Sequence, residues 1–275
     1  MVNWMKATVF FADILGFSTL ARLPRAIPAL EALSDVARLL SKDHALAQYL
    51  QCPVWHQRYS LSDSIFMVGS EPVAAAAAAA EFFFNLAYYD ATQNIPVLMR
   101  GALTIGEVRR TRPVFPETAK ANLVGEAVVR AVRLENIGVK GPRLMVSKEV
   151  ADCLKSSSTK WLLDRTSEGP YELLWLLPPE AAVTNGLMIA DVARAAIRLA
   201  LSAASDRDGG AEHYVSYLDL VVRSLLRLKS RFPEVADMVV EKALIRKLAP
   251  RLRRAFARHP AIAQDAARRL AGLLR

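Results

Sequence analysis

Two carboxylates that adjoin apolar segments constrain this chain more than any other feature of its sequence. Asp13 follows an apolar run at residues 7–12, and Asp63 precedes another at residues 64–68. Both runs are short and rich in β-favouring residues, so they predict buried strands. A carboxylate at the end of a buried strand is costly unless something pairs with it. Two of them in the first quarter of the chain therefore predict a shared cation.

The remaining patterns predict an α+β domain followed by helices only. Apolar residues at helical spacing predict helices over residues 28–50, 72–89 and 125–136, and Ser147 is a predicted N-cap of a short helix over 148–154. Strands are predicted at 54–60 and 64–68, as a hairpin around Asp63, and then at 97–105, from Val108 onward, and at 143–146, 161–164 and 171–176. We expect the strand at 97–105 to end at a turn at Gly106, and a partner strand to begin at Val108.

The chain is expected to divide near residues 178–186, where the β patterns stop. This gives a domain over residues 1–180 and an all-helical, basic extension over 186–275. In the extension, Pro233, Pro250 and Pro260 are predicted to separate short helices.

Composition favours a cytoplasmic protein without a membrane span. The chain has 275 residues, of which 53% are hydrophobic, and its longest apolar run, at 73–80, is too short to cross a bilayer. The N-terminus lacks a small-residue cleavage site, so no secretory signal is expected. Cys52 and Cys153 have no metal or redox spacing and predict ordinary thiols in a reducing compartment.

Positive charge is concentrated in the last third of the chain. The net charge is +9, and residues 186–275 hold 17 Lys or Arg against 9 Asp or Glu, a difference of +8. Such a segment is compatible with nucleic acid, an anionic membrane or a solvated helix face. The cluster Arg251, Arg253, Arg254 and Arg258 has only Phe256 as an interleaved aromatic residue. We therefore favour the solvated face and expect no nucleic-acid partner.

Four motifs in order resemble those of class III nucleotidyl cyclases. Residues 11–18 read Phe-Ala-Asp-Ile-Leu-Gly-Phe-Ser, and residues 62–68 read Ser-Asp-Ser-Ile-Phe-Met-Val. Residues 100–108 resemble the family's following strand and turn, and residues 125–135 resemble its catalytic helix. The resemblance covers residues 5–177 and implies a ferredoxin-like domain with a mixed, mainly antiparallel sheet and helices packed on it.

The resemblance also implies a site and an assembly. Asp13, Asp63 and the backbone carbonyl of Ile14 would hold two divalent cations, Mg²⁺ or Mn²⁺. Arg133 would stabilise the transition state. In this family the aspartates come from one protomer, and the arginine and base-reading residues come from the other, which implies a homodimer.

Departures from the family pattern point to the substrate. The two base-reading positions hold Tyr59 and Asn122. A bulky tyrosine with an amide favours a pyrimidine, as in the uridylate and cytidylate cyclases of bacterial anti-phage signalling (Pycsar systems). UTP is favoured over CTP, and a separate effector protein is expected to sense the cyclic product. Val129 stands where the family has a ribose-orienting asparagine, and Ser62 replaces a glycine.

Three other functions remain open from the sequence. The chain could be a purine (adenylate) cyclase. UTP and CTP are also not separated, because one asparagine can rotate to suit either base edge. It could be a catalytically silent cyclase-like module that binds nucleotide, which Val129 suggests. The basic extension could also be the active part, acting on nucleic acid.

Overall fold

The computed structural model describes residues 4–16, 26–42, 54–93, 97–111, 122–138, 140–165, 170–177, 186–203 and 211–275. The strands are β1 Met5–Ile14, β2 Gln57–Leu61, β3 Ser64–Gly69, β4 Met99–Thr111, β5 Asn122–Val124, β6 Leu144–Val146, β7 Leu163–Arg165 and β8 Tyr171–Leu173. The helices are α1 Ala26–Lys42, α2 Pro72–Gln93, α3 Glu126–Glu135, α4 Lys148–Lys155, α5 Gly186–Ala203, α6 Ala211–Arg231, α7 Pro233–Lys242, α8 Ile245–Ala257 and α9 Pro260–Leu274.

The described strands form one sheet in the order β2-β3-β1-β4-β6-β8-β7, and β5 pairs with the far end of β4. Only β4 and β6 pair in parallel; the other pairs are antiparallel. The predicted fold class is confirmed, since a mixed, mainly antiparallel sheet with packed helices is followed, in the described residues from 186 onward, by helices alone. The predicted hairpin is also confirmed, and its turn holds Ser62 and Asp63.

The predicted end of a strand at Gly106 is wrong, because β4 runs through this residue without a break. A Cβ atom at Gly106 would lie 3.3 Å from the Cβ of Ala127 on α3. The glycine therefore permits the close approach of a helix to the sheet, and it does not mark a turn.

Alternating side chains of β1 enter two cores on opposite faces of the sheet. Phe10, Ala12 and Ile14 belong to the main core, which α2 and the C-terminal helices share. Val9 and Phe11 belong to a smaller core that α3 covers with Ala127 and Ala131. Because side chains alternate along a strand, Asp13 lies on the same face as Val9 and Phe11. The face that bears Asp13 is thus the face that α3 packs against.

The C-terminal helices pack directly on the sheet domain. Trp175, after β8, stacks on Tyr217 of α6 with ring centroids 5.8 Å apart, and both side chains are buried. The indole of Trp175 also donates to the carbonyl of Pro142 at 2.7 Å. Residues 178–185, where the domain boundary is predicted, lie outside the described part of the chain. The division into 1–180 and 186–275 therefore stays a prediction.

A buried ionic network joins α6 and α9 to the sheet edge. The fully buried Glu172 of β8 binds Arg143, and Arg223 of α6 lies 2.9 Å from the same carboxylate. Arg223 also binds Asp164 at 2.8 Å and Asp219 at 3.0 Å. Two more arginines complete the network, Arg227 beside Asp164 and Arg269 beside Asp219. Every carboxylate of this network therefore has an arginine partner.

Most helix predictions in the described residues are confirmed, with one correction. Ser147 caps α4 by accepting from the backbone N–H of Val150 at 3.4 Å. Pro233 and Pro260 begin α7 and α9 as predicted. Pro250 does not separate helices, because it lies inside α8 on its exposed side while its neighbour Ala249 and the nearby Leu252 are buried. The predictions for residues 43–50 and for Cys52 lie outside the described residues.

No helix in the described ranges combines the length and the apolar character that crossing a membrane requires.

Candidate active site

Asp13 and Asp63 are brought together where the central strand meets the β2–β3 turn. Asp13 is paired in register with Ser64 on one side and with Arg100 on the other. The hydroxyl of Ser64 donates to Asp13 Oδ1 at 2.8 Å, and the backbone N–H of Ile14 donates to the carbonyl of Asp63 at 3.3 Å. The two residues thus lie side by side at one end of the sheet.

The backbone conformation of the β2–β3 turn is unfavourable for Ser62. Ser62 has a φ of 56°, in the left-handed region that glycine adopts most readily. This turn places Asp63 immediately before β3. A serine here is compatible with the hairpin but holds a conformation that favours glycine.

Burial and the neighbouring carboxylate both disfavour the charged form of Asp13, which a bound cation would stabilise. Burial raises the pKa of Asp13, and the negative charge of Asp63 raises this pKa further. A hydrogen bond from Ser64 acts in the opposite direction. Two adjacent, partly buried carboxylates are the arrangement that a divalent cation relieves.

The donor set suits a hard divalent cation that takes its remaining ligands from water or phosphate oxygens. Within the described ranges no group of three or more His, Cys, Asp or Glu side chains converges on one point. Mg²⁺ is usually held by one or two carboxylates with water and phosphate oxygens. Asp13 and Asp63 match that requirement, and the Ile14 carbonyl, next in the chain, remains a predicted ligand.

Arg100 and Glu135 adjoin this pair, although sequence reasoning assigned neither of them a role. Arg100 Nε contacts Glu135 Oε1, and its guanidinium donates to Asn136 Oδ1 at 3.2 Å. The Glu135 side chain is only 1% exposed. Burial raises the pKa of Glu135 to about 7, and the charge of Asp13 adds to this rise. Arg100 therefore lies between two carboxylates that would otherwise repel each other.

The sequence held a signal for this ion pair. Glu135 falls on the same helical stripe as Ala127 and Ala131, at spacings of four, and that stripe is buried. A glutamate on a buried stripe requires a partner, and Arg100 opens an apolar strand in the same half of the chain.

The α3 helix is held tightly on the sheet by its N-terminus. Gly125 has a φ of 149°, and a Cβ atom there would lie 2.2 Å from the carbonyl of Glu107. Thr104 Oγ1 donates to the carbonyl of Ala127 at 2.7 Å, deep in the interface. These contacts fix which side of α3 faces the sheet and which side faces outward.

Arg133 lies on the outward side of α3. It is exposed, as is Val129 one turn earlier, which is 49% exposed. Ala127, Ala131 and Glu135 point the other way, into the protein. The fold therefore does not bring Arg133 to the aspartates of its own chain. Arg130, which lies between the two outward residues in sequence, is engaged by Glu149 at 2.7 Å.

Tyr59 and Asn122 occupy separate parts of the sheet. Tyr59 lies on the edge strand β2 and pairs with Phe66, two strands away from β1. Its hydroxyl donates to Gln57 Oε1 at 2.8 Å. Asn122 pairs with Thr111, at the end of β4 farthest from Arg100. Strand pairing therefore puts neither residue directly beside Asp13.

The loop after α3 is attached to the C-terminal helices. The N–H of Gly141 donates to His213 Nδ1 at 3.1 Å, and the hydroxyl of Ser216 donates to the carbonyl of Lys140 at 2.5 Å. Burial lowers the pKa of His213, and the positive charges of Lys140 and Arg100 lower it further. A neutral His213 is the form whose Nδ1 can accept this bond. The end of α3 is thus connected to α6.

No protein-family model matches the chain, and no curated protein matches it in sequence. Among solved structures, the adenylyl cyclase CyaB from P. aeruginosa is similar over 63% of this chain and 95% of its own, at 18% identity and a TM-score of 0.48. The guanylyl cyclase Cya2 is similar over 63% of this chain and 93% of its own, at 13% identity and a TM-score of 0.47. An adenylate/guanylate cyclase/hydrolase from Silicibacter pomeroyi covers 62% of this chain and 95% of its own, at 20% identity and a TM-score of 0.42.

Proposed function

We propose that this chain is a class III nucleotidyl cyclase, which converts a nucleoside triphosphate into its 3′,5′-cyclic monophosphate and pyrophosphate. The observation that carries the proposal is the meeting of Asp13 and Asp63 at the end of β1, with Arg100 beside them. Phosphoryl transfer depends mostly on positioning and on neutralising charge. Two carboxylates and a nearby guanidinium suit that task.

Asp13, Asp63 and the Ile14 carbonyl are the groups that would hold two divalent cations, Mg²⁺ or Mn²⁺. When bound, such cations neutralise phosphate charge and stabilise the attacking and leaving oxygens. The rest of the chemistry falls to side chains that position the nucleotide and bind its phosphates.

In the reaction, the 3′-hydroxyl oxygen bonds to the α-phosphorus while the bond from that phosphorus to the pyrophosphate oxygen breaks. The hydroxyl proton leaves to solvent, and pyrophosphate carries away the displaced electron pair. Arg133 would donate hydrogen bonds to the negative charge that develops on the phosphate oxygens. Its planar guanidinium offers a fixed set of donors for this purpose.

A homodimer supplies Arg133 to the aspartates of the opposite protomer in this proposal. The outward position of Arg133 supports it, because that side chain is directed away from its own sheet. The apolar side chains Val124 and Val129 are 40% and 49% exposed, and a second protomer would cover them. A two-fold arrangement then gives two equivalent sites.

The substrate we propose is a pyrimidine nucleotide, with UTP favoured over CTP. The support is Tyr59 and Asn122 at the two base-reading positions. The hydrogen bond from the Tyr59 hydroxyl to Gln57 restrains the tyrosine ring. The restrained ring would narrow the proposed binding pocket for the base. The proposed role is a second-messenger signal in anti-phage defence, with the product sensed by a separate effector protein.

The experiment is an assay of the purified protein with each common nucleoside triphosphate and Mn²⁺ or Mg²⁺, with the product identified by mass spectrometry. We expect cyclic UMP as the main product, and its loss in Asp13→Asn and Asp63→Asn. Asp152→Asn, which changes an exposed carboxylate on α4, is the matched control and should retain activity. Cyclic AMP as the main product would refute the base assignment, and equal activity in all variants would refute the site.

A second candidate is a catalytically silent module that binds nucleotide. Val129 favours it, because an apolar side chain stands on the outward side of α3 where a polar group would orient the ribose. Nucleotide binding by calorimetry without pyrophosphate release, at any concentration of divalent cation, would support this candidate. Pyrophosphate release that depends on Asp13 would exclude it.

A further inference from the structure

The α8 helix has two sides of opposite character. Its inward side packs on neighbouring helices and is apolar, comprising Ile245, Ala249, Leu252, Ala255 and Phe256, all at most 6% exposed. Its outward side carries exposed cations, namely Arg246, Lys247, Arg251, Arg253 and Arg254. The helix contains no acidic residue along its length.

The cations of α8 differ from exposed cations on other helices in how they are compensated. On α5, Arg194 pairs with Asp191 at 2.9 Å; on α4, Lys148 pairs with Asp152 at 2.7 Å. On α9, Arg268 lies 3.5 Å from Asp265. These pairs lie within single helices, as is usual for solvated helix surfaces.

On α8, acidic partners are almost absent from the described residues. Arg246 has a long contact, 3.7 Å, with Asp237 of α7. Lys247, Arg251 and Arg253 have no acidic side chain within ion-pair distance in the described ranges. Apart from the long Arg246–Asp237 contact, the outward side of α8 is therefore a surface of uncompensated positive charge in the described residues.

We propose that the outward side of α8 binds the phosphodiester backbone of double-stranded nucleic acid, without reading its sequence. The residues from Arg246 to Arg254 extend over roughly 12 Å of helix, at about 1.5 Å per residue. A duplex presents one negative charge per roughly 1.7 Å of its axis, so about seven phosphates face the same length. Five cations, of which only Arg246 has a carboxylate within ion-pair distance in the described residues, come close to that density.

The arrangement favours a duplex over single strands. Proteins that bind single strands usually stack the bases on aromatic side chains. The only aromatic residue of α8 is Phe256, and it is fully buried. This surface therefore offers charge to a backbone and offers no stacking platform to bases.

The arrangement also favours nucleic acid over a membrane. Helices that lie on a bilayer insert an apolar side into the boundary between headgroups and acyl chains. The apolar side of α8 is already buried against its own protein, so only its charges are available. A phosphate backbone can be bound by charge alone, whereas a helix that lies on a bilayer also inserts its apolar side.

The test is a fluorescence anisotropy titration of the full-length protein with a short labelled DNA duplex, repeated with an RNA duplex of the same sequence. We expect binding that weakens steeply between about 50 and 200 mM salt, because each phosphate contact contributes a slope of roughly −0.9 in log K against log salt. The variant R251E/R253E/R254E should bind at least about tenfold more weakly, with a slope reduced by about three.

The matched control is K148E/K160E/R194E, which changes the net charge equally at exposed positions on other elements. It should bind as the unchanged protein does. The milder variant R251Q/R253Q/R254Q, checked by circular dichroism, separates loss of binding from loss of fold. Asp13→Asn should also bind duplex normally, because this surface does not depend on the proposed cyclisation.

Several results would overturn the proposal. They are absence of duplex binding at low salt, equal weakening in the control and in the α8 variant, and tighter binding to single strands. Tighter binding to vesicles of phosphatidylserine and phosphatidylcholine would instead assign the surface to a membrane. Binding to DNA and RNA duplexes with equal affinity would support recognition of the backbone alone.

Discussion

Two groups of buried or partly buried carboxylates in this protein are compensated in opposite ways. At the junction with the C-terminal helices, Glu172, Asp164 and Asp219 each contact one or more arginines. At the end of β1, Asp13 and Asp63 adjoin each other, and the guanidinium of Arg100, which is paired in register with Asp13, is bound to Glu135. One group is complete within the chain, and the other needs an additional positive charge.

The difference is consistent with the proposed division of roles, in which the first group holds the fold and the second binds a ligand. A buried network in which every carboxylate has a partner can fix how two parts of a chain pack. Paired carboxylates without such partners oppose folding and are retained where they bind something. Variants that remove one charge from each group should therefore have opposite effects, and four predictions test this.

Arg223→Met should produce the largest effect on stability. It leaves Glu172 and Asp219 without their shared guanidinium inside the protein, which costs about 3–5 kcal/mol. Urea unfolding monitored by circular dichroism measures the change in the free energy of unfolding. Arg194→Met, at an exposed pair on α5, is the control and should change it by less than about 1 kcal/mol. A loss below about 1 kcal/mol for Arg223→Met would show that the network does not hold the junction.

Asp13→Asn should lower the cyclisation rate by roughly 10²–10³, the usual cost of losing one electrostatic group at a reacting phosphate or oxyanion. Its free energy of unfolding should stay the same or rise, because one of two adjacent like charges is removed. Pyrophosphate release and urea unfolding are measured on the same preparation. If activity and stability fell together, Asp13 would belong with the structural charges.

Asp90 is an intermediate case, since it is fully buried in α2 and, among the described residues, has one ion-pair contact, with Arg198 at 3.8 Å. Burial raises its pKa to about 6, so the folded state holds this proton more tightly than the unfolded state does. The group therefore costs stability above pH 6, and that cost disappears as the pH falls below about 4.

Asp90→Asn should therefore raise the free energy of unfolding by about 2–3 kcal/mol at pH 7.5 and leave it nearly unchanged near pH 4. Denaturant curves at both pH values measure the difference. An effect independent of pH would mean that the side chain matters by its shape and not by its charge.

Glu149→Gln should have the smallest effect. The hydrogen bond from Arg130 lowers the pKa of Glu149 to about 2, so the pair contributes above its unfolded pKa and loses its contribution as the pH falls toward 2. The Glu149 side chain is 50% exposed, so solvent screens the pair and we expect less than about 1 kcal/mol. The difference should shrink in high salt, and a larger, salt-independent loss would contradict this account.

The local features of the fold could be predicted from the sequence. The apolar run before Asp13 predicted β1, and the one after Asp63 predicted β3. The turn between β2 and β3 was predicted from the short gap between the strand patterns at 54–60 and 64–68. Ser147 marked the start of α4 through its side-chain chemistry. Each of these signals lies within a few residues of the feature that it predicts.

Features that depend on distant residues could not be predicted in the same way. The sequence predicts a turn at Gly106 because the residue that requires this glycine, Ala127, is distant in sequence. The pairing of Arg100 with Glu135 and of Arg223 with Glu172 needs the packed fold to be known. The basic character of the last third was visible, but its concentration on one side of α8 required the helix to be placed on its neighbours.

Hydrogen bonds between α6 and the residues that follow α3 connect the region around the sheet with the C-terminal helices. Gly141 and Lys140 follow the helix that carries Arg133 and Glu135, and both are bonded to α6. An altered position of α6 is therefore expected to alter the contacts of residues 140 and 141. These hydrogen bonds thus connect the C-terminal helices to the segment that follows α3, which in the described residues is the only helix that covers the face bearing Asp13.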